Sequence, residues 1–266
     1  MEIAWSLVFF TVLSGCGGWL LAAIAIDEFA GITENTDFKA GIVGLVLLAV
    51  GGLASATHLA HPENIFAAFN HPTSGIFLEA VLIAIAGAFA VAYLVTYGRN
   101  QVARRVCIAI AALVGVALSF MAGNSYIMSS CSNWDTMLLP LAYLGTTMVP
   151  GVALYCALAK AFDGGKNIKA FSALLVASGA IAAITAILYV MHVGDVPGVA
   201  ALGYGGAVVI GGVVPFALGV VMAAKPEIGV WAPAAACACG IVGAICIRVC
   251  MWMAFQPVES FFGLLS

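Results

Sequence analysis

The chain has 266 residues, of which 64% are hydrophobic and only 8% are charged. An ordinary soluble domain carries about 25% charged residues, so a soluble fold has no means of covering this much apolar surface. The net charge of −3 is small and no basic run is interleaved with aromatic residues, which argues against nucleic-acid binding. The composition therefore indicates an integral membrane protein that has the lipid bilayer as its solvent.

Apolar runs of about 20 residues, the length of a membrane-spanning helix, follow one another along the whole sequence. They are apolar on every side and rich in Gly and Ala, whereas membrane barrel strands alternate apolar and polar residues. We therefore predict an all-α integral membrane protein of about eight transmembrane helices, with residues 1–266 as a single transmembrane domain. The predicted spans are 5–26, 40–60, 75–97, 106–128, 137–159, 170–192, 199–223 and 230–254.

Lysine and arginine divide the predicted connections into two sets. The connections after spans 1, 3, 5 and 7 contain basic residues, and those after spans 2, 4 and 6 contain none. Because basic connections stay on the cytoplasmic side, both termini are predicted to face the outer, periplasmic or extracellular side. The basic residues in question are Lys39, Arg99, Arg104, Arg105, Lys160, Lys166, Lys169 and Lys225. The first inner connection is also predicted to carry Asp27, Glu28, Glu34 and Asp37.

Two charged residues lie within the spans themselves. Arg248 is the only basic residue inside a predicted span, and Glu79 is the only acidic one away from a span end. Each costs at least about 2.5 to 3.5 kcal/mol near the bilayer centre unless it is paired or hydrated, so each marks a candidate site. At 1.5 Å per residue, they lie about 6 Å and about 9 Å below the outer surface. A structural ion pair between spans 3 and 8 is the alternative interpretation.

The four histidines fall at the same outer end. His58 is predicted near the end of span 2, His61 and His71 in the connection that follows, and His192 at the end of span 6. Together with the two charges, they predict a polar pocket that opens to the outer leaflet. Hydrated histidines at the edges of connections, and a His58 that satisfies a backbone carbonyl, are the alternatives.

Residues 54–79 read ASATHLAHPENIFAAFNHPTSGIFLE, which resembles the membrane anchor subunit of the bacterial dimethyl sulfoxide reductase family, a relative of the polysulfide and nitrite reductase membrane subunits. The pattern is a His-Leu pair, a proline-containing connection with Ala-Phe-Asn, and then Ser74 and Glu79 five residues apart. Further similarity lies in Phe10-Thr11-Val12 with Cys16, in Tyr126 followed by Trp134 and Pro140, and in Arg248. Among the departures, Ala244 replaces an acidic residue that is usual before the last arginine.

The resemblance implies an eight-helix subunit that oxidises menaquinol without haem or metal of its own. It also implies two partners, an iron–sulfur electron-transfer subunit and a molybdopterin catalytic subunit. In that family, the histidine and glutamate that correspond to His58 and Glu79 are tied to the quinol site.

Oxidation of a quinol releases two electrons and two protons, so the site needs a base that works near neutral pH. Histidine, with an unperturbed pKa near 6.5, meets this need. We expect His58 to bond a quinol oxygen, Glu79 to relay protons outward and Arg248 to tune Glu79. Ser74 and His61 are expected to complete the quinol-binding site.

Two other functions remain open from the sequence. A secondary transporter would carry paired charges and glycine-broken helices at mid-membrane, whereas the polar residues here lie off centre. A haem-b quinol oxidoreductase subunit would need two histidines that face each other at matched depth, for which His58 and His192 are the candidates.

Overall fold

A computed structural model of the protein describes residues 2–33, 35–57, 72–164 and 168–256. These residues form eight helical spans, each long and apolar enough to cross a membrane, which confirms the predicted all-α membrane fold. Several residues named above lie outside the described ranges, namely Glu34, His58, His61, His71 and Lys166. The helices are α1 (Trp5–Ala30), α2 (Thr36–Ala56), α3 (Gly75–Thr96), α4 (Gln101–Asn124), α5 (Leu138–Asp163), α6 (Lys169–Val193), α7 (Val214–Ala224) and α8 (Trp231–Met253).

The seventh span, Ala201–Ala224, begins as a π-helix over Ala201–Val213 and continues as α7. The π-helical part packs between α6 and α8. Glycine permits the close approach, since a Cβ on Gly211 would lie 2.5 Å from the Cα of Gly243 in α8. π-Helical turns are rare and frequently occur at functional sites. This one borders the half of α8 that carries Arg248.

The helices pack around α1 and α5, the two most buried spans. α1 contacts α2, α4 and α5, and α5 in turn contacts α6 and α8. Lipid tails are as apolar as leucine, so the helices associate through close packing more than through the hydrophobic effect. Gly18 in α1 meets Gly115 in α4, where a Cβ on Gly18 would lie 2.3 Å from the Gly115 carbonyl oxygen. α3 is the span most exposed to lipid.

The connections alternate between two ends of the bundle. At one end, the Asn35 side chain after α1 donates a 3.0 Å hydrogen bond to Asp163 at the end of α5. At the other, Asn133 before α5 donates a 2.9 Å hydrogen bond to the Ala254 carbonyl after α8. We call the first, which carries the Lys and Arg residues of the connections, the basic end, and the second the distal end. Their orientation in the membrane remains a prediction from the positive-inside rule.

Helices at the basic end extend past the predicted apolar runs. α4 begins at residue 101 and not 106, so Arg104 and Arg105 lie in its first turns and not in a connection. Asn100 caps this helix, because its side-chain oxygen accepts a backbone N–H at 3.0 Å. Lys39 and Lys160 likewise lie in the first turn of α2 and the last turn of α5. Long basic side chains permit these extensions because their charged ends reach water or a partner.

Asp27 and Asp37 are buried at the basic end, although the sequence predicts them in a hydrated connection. They are 1% and 7% exposed and lie in the last turn of α1 and the first turn of α2. The Tyr155 hydroxyl of α5 hydrogen-bonds to Asp27 and lies 2.7 Å from Asp37 Oδ1. The Asp27 carboxylate also accepts the backbone N–H groups of Ile32 and Thr33 at 2.7 and 3.1 Å. One phenol therefore ties three helices together.

Glu28 extends this contact to α3 and α4. It is 5% exposed, forms a 2.7 Å ion pair with Arg104 and accepts a 2.9 Å hydrogen bond from the Tyr93 hydroxyl. The Arg105 side chain donates to the Glu28 backbone carbonyl at 3.1 Å. Carboxylates interrupt an apolar run in the sequence, so the sequence predicts a connection between helices at these positions. Only the contacts with residues of other helices reveal that these carboxylates are buried.

Candidate functional site

Arg248 is 0% exposed and lies between α1, α5 and its own helix near the distal end. Its Nε donates to Thr11 Oγ1 at 2.8 Å, and its Nη1 donates to Thr146 Oγ1 at 3.4 Å and to the Ala244 carbonyl at 2.9 Å. The guanidinium carbon lies 4.0 Å from the centre of the Tyr143 ring. No carboxylate of the described residues pairs with it, and the groups of those residues that stabilise this cation are dipoles and an aromatic face.

The helical turn before Arg248 supplies no carboxylate, because residue 244 is alanine. An acidic residue one helical turn before Arg248 is usual in the family that the sequence resembles, and here that turn offers only a backbone carbonyl. A buried charge without a partner is costly to keep in a bilayer. The protein keeps Arg248 despite this energetic cost, which indicates a role for the positive potential that Arg248 creates at the distal end.

Glu79 is the second buried charge near the distal end. It lies in the second turn of α3, is 9% exposed and interacts electrostatically with Ser125, which follows α4 and whose hydroxyl donates to the Met121 carbonyl at 2.9 Å. Gly75 makes room for this contact, since a Cβ there would lie 2.5 Å from Ser125 Oγ. Ser74 starts the helix, because its hydroxyl accepts the N–H of Phe77 at 3.2 Å. The structure thus gives Ser74 a capping role beside Glu79.

Glu79 and Arg248 lie at similar depth without touching. Counted from the ends of α3 and α8, they lie about 6 Å and about 7.5 Å inside. The ion pair considered from the sequence is not formed, since the hydrogen bonds of Arg248 go to α1, α5 and α8. Two tyrosines link the charges instead. The rings of Tyr126 and Tyr143 are 6.1 Å apart, and both tyrosines interact electrostatically with Glu79 and Arg248.

An aromatic cluster covers this layer at the distal end. Trp134 packs edge to face against Tyr126 and Trp252, with ring centres 5.7 and 5.6 Å away, and lies 5.0 Å from Phe255. Its Nε1 donates a 2.9 Å hydrogen bond to the carbonyl of Met251 in α8. Burial raises the pKa of the Tyr126 phenol above its ordinary value, so this hydroxyl stays protonated at neutral pH. The cluster fixes the end of α8 and, through it, the position of Arg248.

The two predicted histidines of the site, His58 and His61, belong to the segment outside the described residues, so their positions stay a prediction. His192 is described and lies exposed at the end of α6, with Nε2 3.3 Å from the Ser132 carbonyl oxygen. The Ser132 carbonyl is therefore the hydrogen-bond partner of the His192 ring, and no second histidine of the described residues contacts it.

Sequence reasoning misses most of the side chains that surround the two charges. Thr11 is identified from the sequence only through the family resemblance. The sequence does not single out Tyr143, Thr146 or Ser125. A single hydroxyl in an apolar helix is common and usually bonds a carbonyl of its own helix, as Thr146 also does at 2.6 Å. Only the contact with Arg248, from another helix, sets Thr11, Tyr143 and Thr146 apart.

Comparison with known proteins identifies the family of the chain. A family model described as the DMSO reductase anchor subunit (DmsC) matches residues 1–200, a range that includes Glu79 and Tyr143 and ends before α8. One subunit of the anaerobic dimethyl sulfoxide reductase of Haemophilus influenzae is 27% identical over 161 residues, which cover 57% of this protein and 57% of that subunit. The match therefore spans little more than half the length of that relative. Because the family model covers most of the sequence, this multi-pass membrane protein belongs to the DMSO reductase anchor subunit family.

Proposed function

We propose that the protein anchors a reductase complex in the membrane and oxidises menaquinol for it. Electrons would pass to an iron–sulfur partner subunit and then to a molybdopterin catalytic subunit. The observation that carries the proposal is the pair of buried charges, Glu79 and Arg248, linked by Tyr126 and Tyr143 near the distal end. Charged residues inside a membrane protein are rare and mark functional sites. Membership of the anchor subunit family supports the same role.

The chemistry requires two protons and two electrons to leave each menaquinol. The apolar substrate enters from lipid beside α3, the span most exposed to lipid, which also carries Glu79. His58 accepts a hydrogen bond and then a proton from a quinol oxygen, as histidine does near neutral pH. Glu79 takes the proton next and releases it at the distal end, while the electrons go to the iron–sulfur partner docked there.

Arg248 contributes through its field and not through direct contact with Glu79. Its charge is buried where the dielectric is low, and no carboxylate of the described residues neutralises it. A fixed positive potential stabilises the negative charge that develops when a quinol loses its protons. The Tyr143 ring, 4.0 Å from the guanidinium carbon, packs on this charge without cancelling it.

The test compares His58→Ala and Glu79→Gln in the assembled complex. Quinol-dependent activity is measured beside activity with a dye that reduces the partner subunits directly, both normalised to assembled complex. His58→Ala should lower the quinol activity by about 10²-fold or more, the range for a lost general base, with normal dye activity. Glu79→Gln should lower it less, because the amide keeps the shape and loses only the proton relay.

Matched controls are His192→Ala and Asp195→Asn, which alter exposed residues at the same end. Both should keep normal quinol activity. Unchanged quinol activity in His58→Ala would refute the site assignment. A loss of assembled complex with normal turnover of the remainder would assign these residues a structural role. Recovery of the protein in mild detergent without any iron–sulfur protein would instead favour the transporter alternative.

A further inference from the structure

Two clefts open at the basic end, away from the candidate quinol site. The first, of about 400 Å³, lies between α2, the end of α3 and the end of α5. The second, of about 330 Å³, lies at the turn from α3 to α4. Tyr97 joins them, because it lines the first cleft and its ring lies 4.7 Å from the guanidinium of Arg104, which lines the second. The lining residues are Asn35, Phe38, Lys39, Tyr97 and Phe162 in the first, and Gly98, Arg99, Asn100, Gln101 and Arg104 in the second.

The clefts contain cationic groups that lack an ion-pair partner among the described residues. Lys39 Nζ lies 3.8 Å from the centre of the Phe162 ring, and neither Lys39 nor Arg99 has an ion-pair partner among the residues that the structure describes. Arg104 pairs with Glu28, yet its buried Nε–H has no acceptor within the same described ranges. The described carboxylates near the first cleft already have partners within the protein, since Asp163 accepts hydrogen bonds from Asn35 and Thr36, and Asp37 accepts one from Tyr155. The clefts therefore contain more hydrogen-bond donors than the described carboxylates around them accept from.

An apolar face continues from the first cleft toward the bilayer centre. Phe38, Ile42 and Val46 follow one another at intervals of four residues on α2, and they are 38%, 43% and 52% exposed. Phe38 stacks near Tyr97, with ring centres 5.1 Å apart, which directs this face toward α3. α2 and α3 also pack less extensively against each other than α1 packs on α2 or α3 on α4. A cationic cleft thus opens onto an apolar crevice.

We propose that these clefts bind the headgroup of a phospholipid with net negative charge from the leaflet at the basic end. The phosphodiester lies against Lys39 and Arg99, and the acyl chains follow Phe38, Ile42 and Val46. Basic pockets between transmembrane helices on the cytoplasmic side suit such headgroups, and aromatic side chains suit this depth. A zwitterionic lipid would bring a cation close to Lys39 and Arg99, so electrostatic repulsion disfavours it.

The bound lipid bridges α2 and α3, which pack less extensively against each other than α1 packs on α2 or α3 on α4. A ligand that binds only the folded state stabilises it, so saturation with the lipid raises the melting temperature of the protein. Lipid binding does not depend on menaquinol oxidation, so a negative result for one proposal leaves the other unaffected.

The test uses the full-length protein, stripped of lipid in a neutral detergent and titrated with phosphatidylglycerol. Bound lipid is counted by native mass spectrometry, with phosphatidylethanolamine and glycerol 3-phosphate as parallel titrants. Phosphatidylglycerol should bind saturably, and the other two should not compete with it. Lys39→Gln with Arg99→Gln should weaken its binding about 25-fold, about fivefold for each charge.

The matched control is Lys169→Gln with Lys225→Gln, which removes two exposed charges at the same end outside both clefts. It should keep the affinity of the unmodified protein. An equal loss of affinity in both double variants would overturn the proposal, because binding would then reflect net charge. Equal binding of phosphatidylethanolamine or of glycerol 3-phosphate would overturn it as well. Lys39→Glu, an exposed charge reversal checked for folding by circular dichroism, provides an independent variant and should abolish saturable binding.

Discussion

At the residue scale, the guanidinium of Arg248 meets the hydroxyls of Thr11 and Thr146, the carbonyl of Ala244 and the face of Tyr143. Replacing buried ionic groups together with their partners by apolar side chains of similar volume is often neutral or stabilising, and Arg248 has no ion-pair partner among the described residues that its replacement would strand. Arg248 is therefore a poor choice for stability alone. Its retention is more readily explained by the potential that it provides.

We expect Arg248→Met to leave the amount of assembled complex within about twofold of normal, because the replacement removes a buried charge that no described carboxylate pairs with and keeps most of the volume. Quinol-dependent activity should fall about tenfold or more, which corresponds to about 1.4 kcal/mol of lost electrostatic stabilisation. The ratio of quinol to dye activity measures this effect. Arg248→Lys, which keeps the charge and loses the planar donors, should retain part of the activity. Poor assembly with a normal ratio would contradict the prediction.

At the element scale, the close approach of α1 and α4 depends on two facing glycines. A Cβ on Gly18 would lie 2.3 Å from the Gly115 carbonyl oxygen, and one on Gly115 would lie 2.7 Å from the Gly18 Cα. Both obstacles are backbone atoms, which do not rotate away as the end of a side chain does. The two helices would have to separate along their contact to accommodate even one methyl group.

We expect Gly18→Ala to destabilise the protein by about 1 to 3 kcal/mol through overpacking, visible as a lower melting temperature in detergent. The matched control is Gly87→Ala in α3, where a Cβ would have no neighbour within 4 Å. Alanine has the higher helix propensity, so that variant should be neutral or more stable by up to about 1 kcal/mol. Similar melting temperatures for the two variants would show that the α1–α4 contact is not as close as described.

At the scale of the whole molecule, the unequal distribution of charge predicts how the bundle sits in the membrane. The basic end carries seven of the eight Lys and Arg residues that the structure describes, and from the positive-inside rule we predict that it faces the cytoplasm. The native Cys131 at the distal end is 0% exposed and unsuited to labelling. Exposed positions at each end are better reporters of orientation.

We expect Asp195→Cys at the distal end to react with a membrane-impermeant maleimide in intact spheroplasts, because this residue is exposed in an outer connection. Lys225→Cys, exposed at the basic end, should react only after the membrane is permeabilised. The unmodified protein measures the background from native cysteines. The reverse pattern of labelling would invert the topology and move the proposed docking site for the iron–sulfur subunit to the cytoplasm.

The sequence by itself determined the membrane fold, the eight spans and the positions of Glu79 and Arg248 within them. Those properties depend on composition and on the position of residues along the sequence, because a bilayer demands about 20 apolar residues per helix and penalises each buried charge. Helix ends were less predictable, since Arg104 and Lys39 look like connection residues until their partners are known.

Only the tertiary structure decided which groups meet. It separated Glu79 from Arg248, linked both to Tyr126 and Tyr143, and buried Asp27 with Tyr155. These pairings join helices that are far apart in the sequence, such as Thr11 with Arg248. A hydrogen bond extends only about 3 Å, so its existence depends on the rotation and depth of both helices. Those quantities arise from packing of the whole bundle, which no local stretch of sequence specifies.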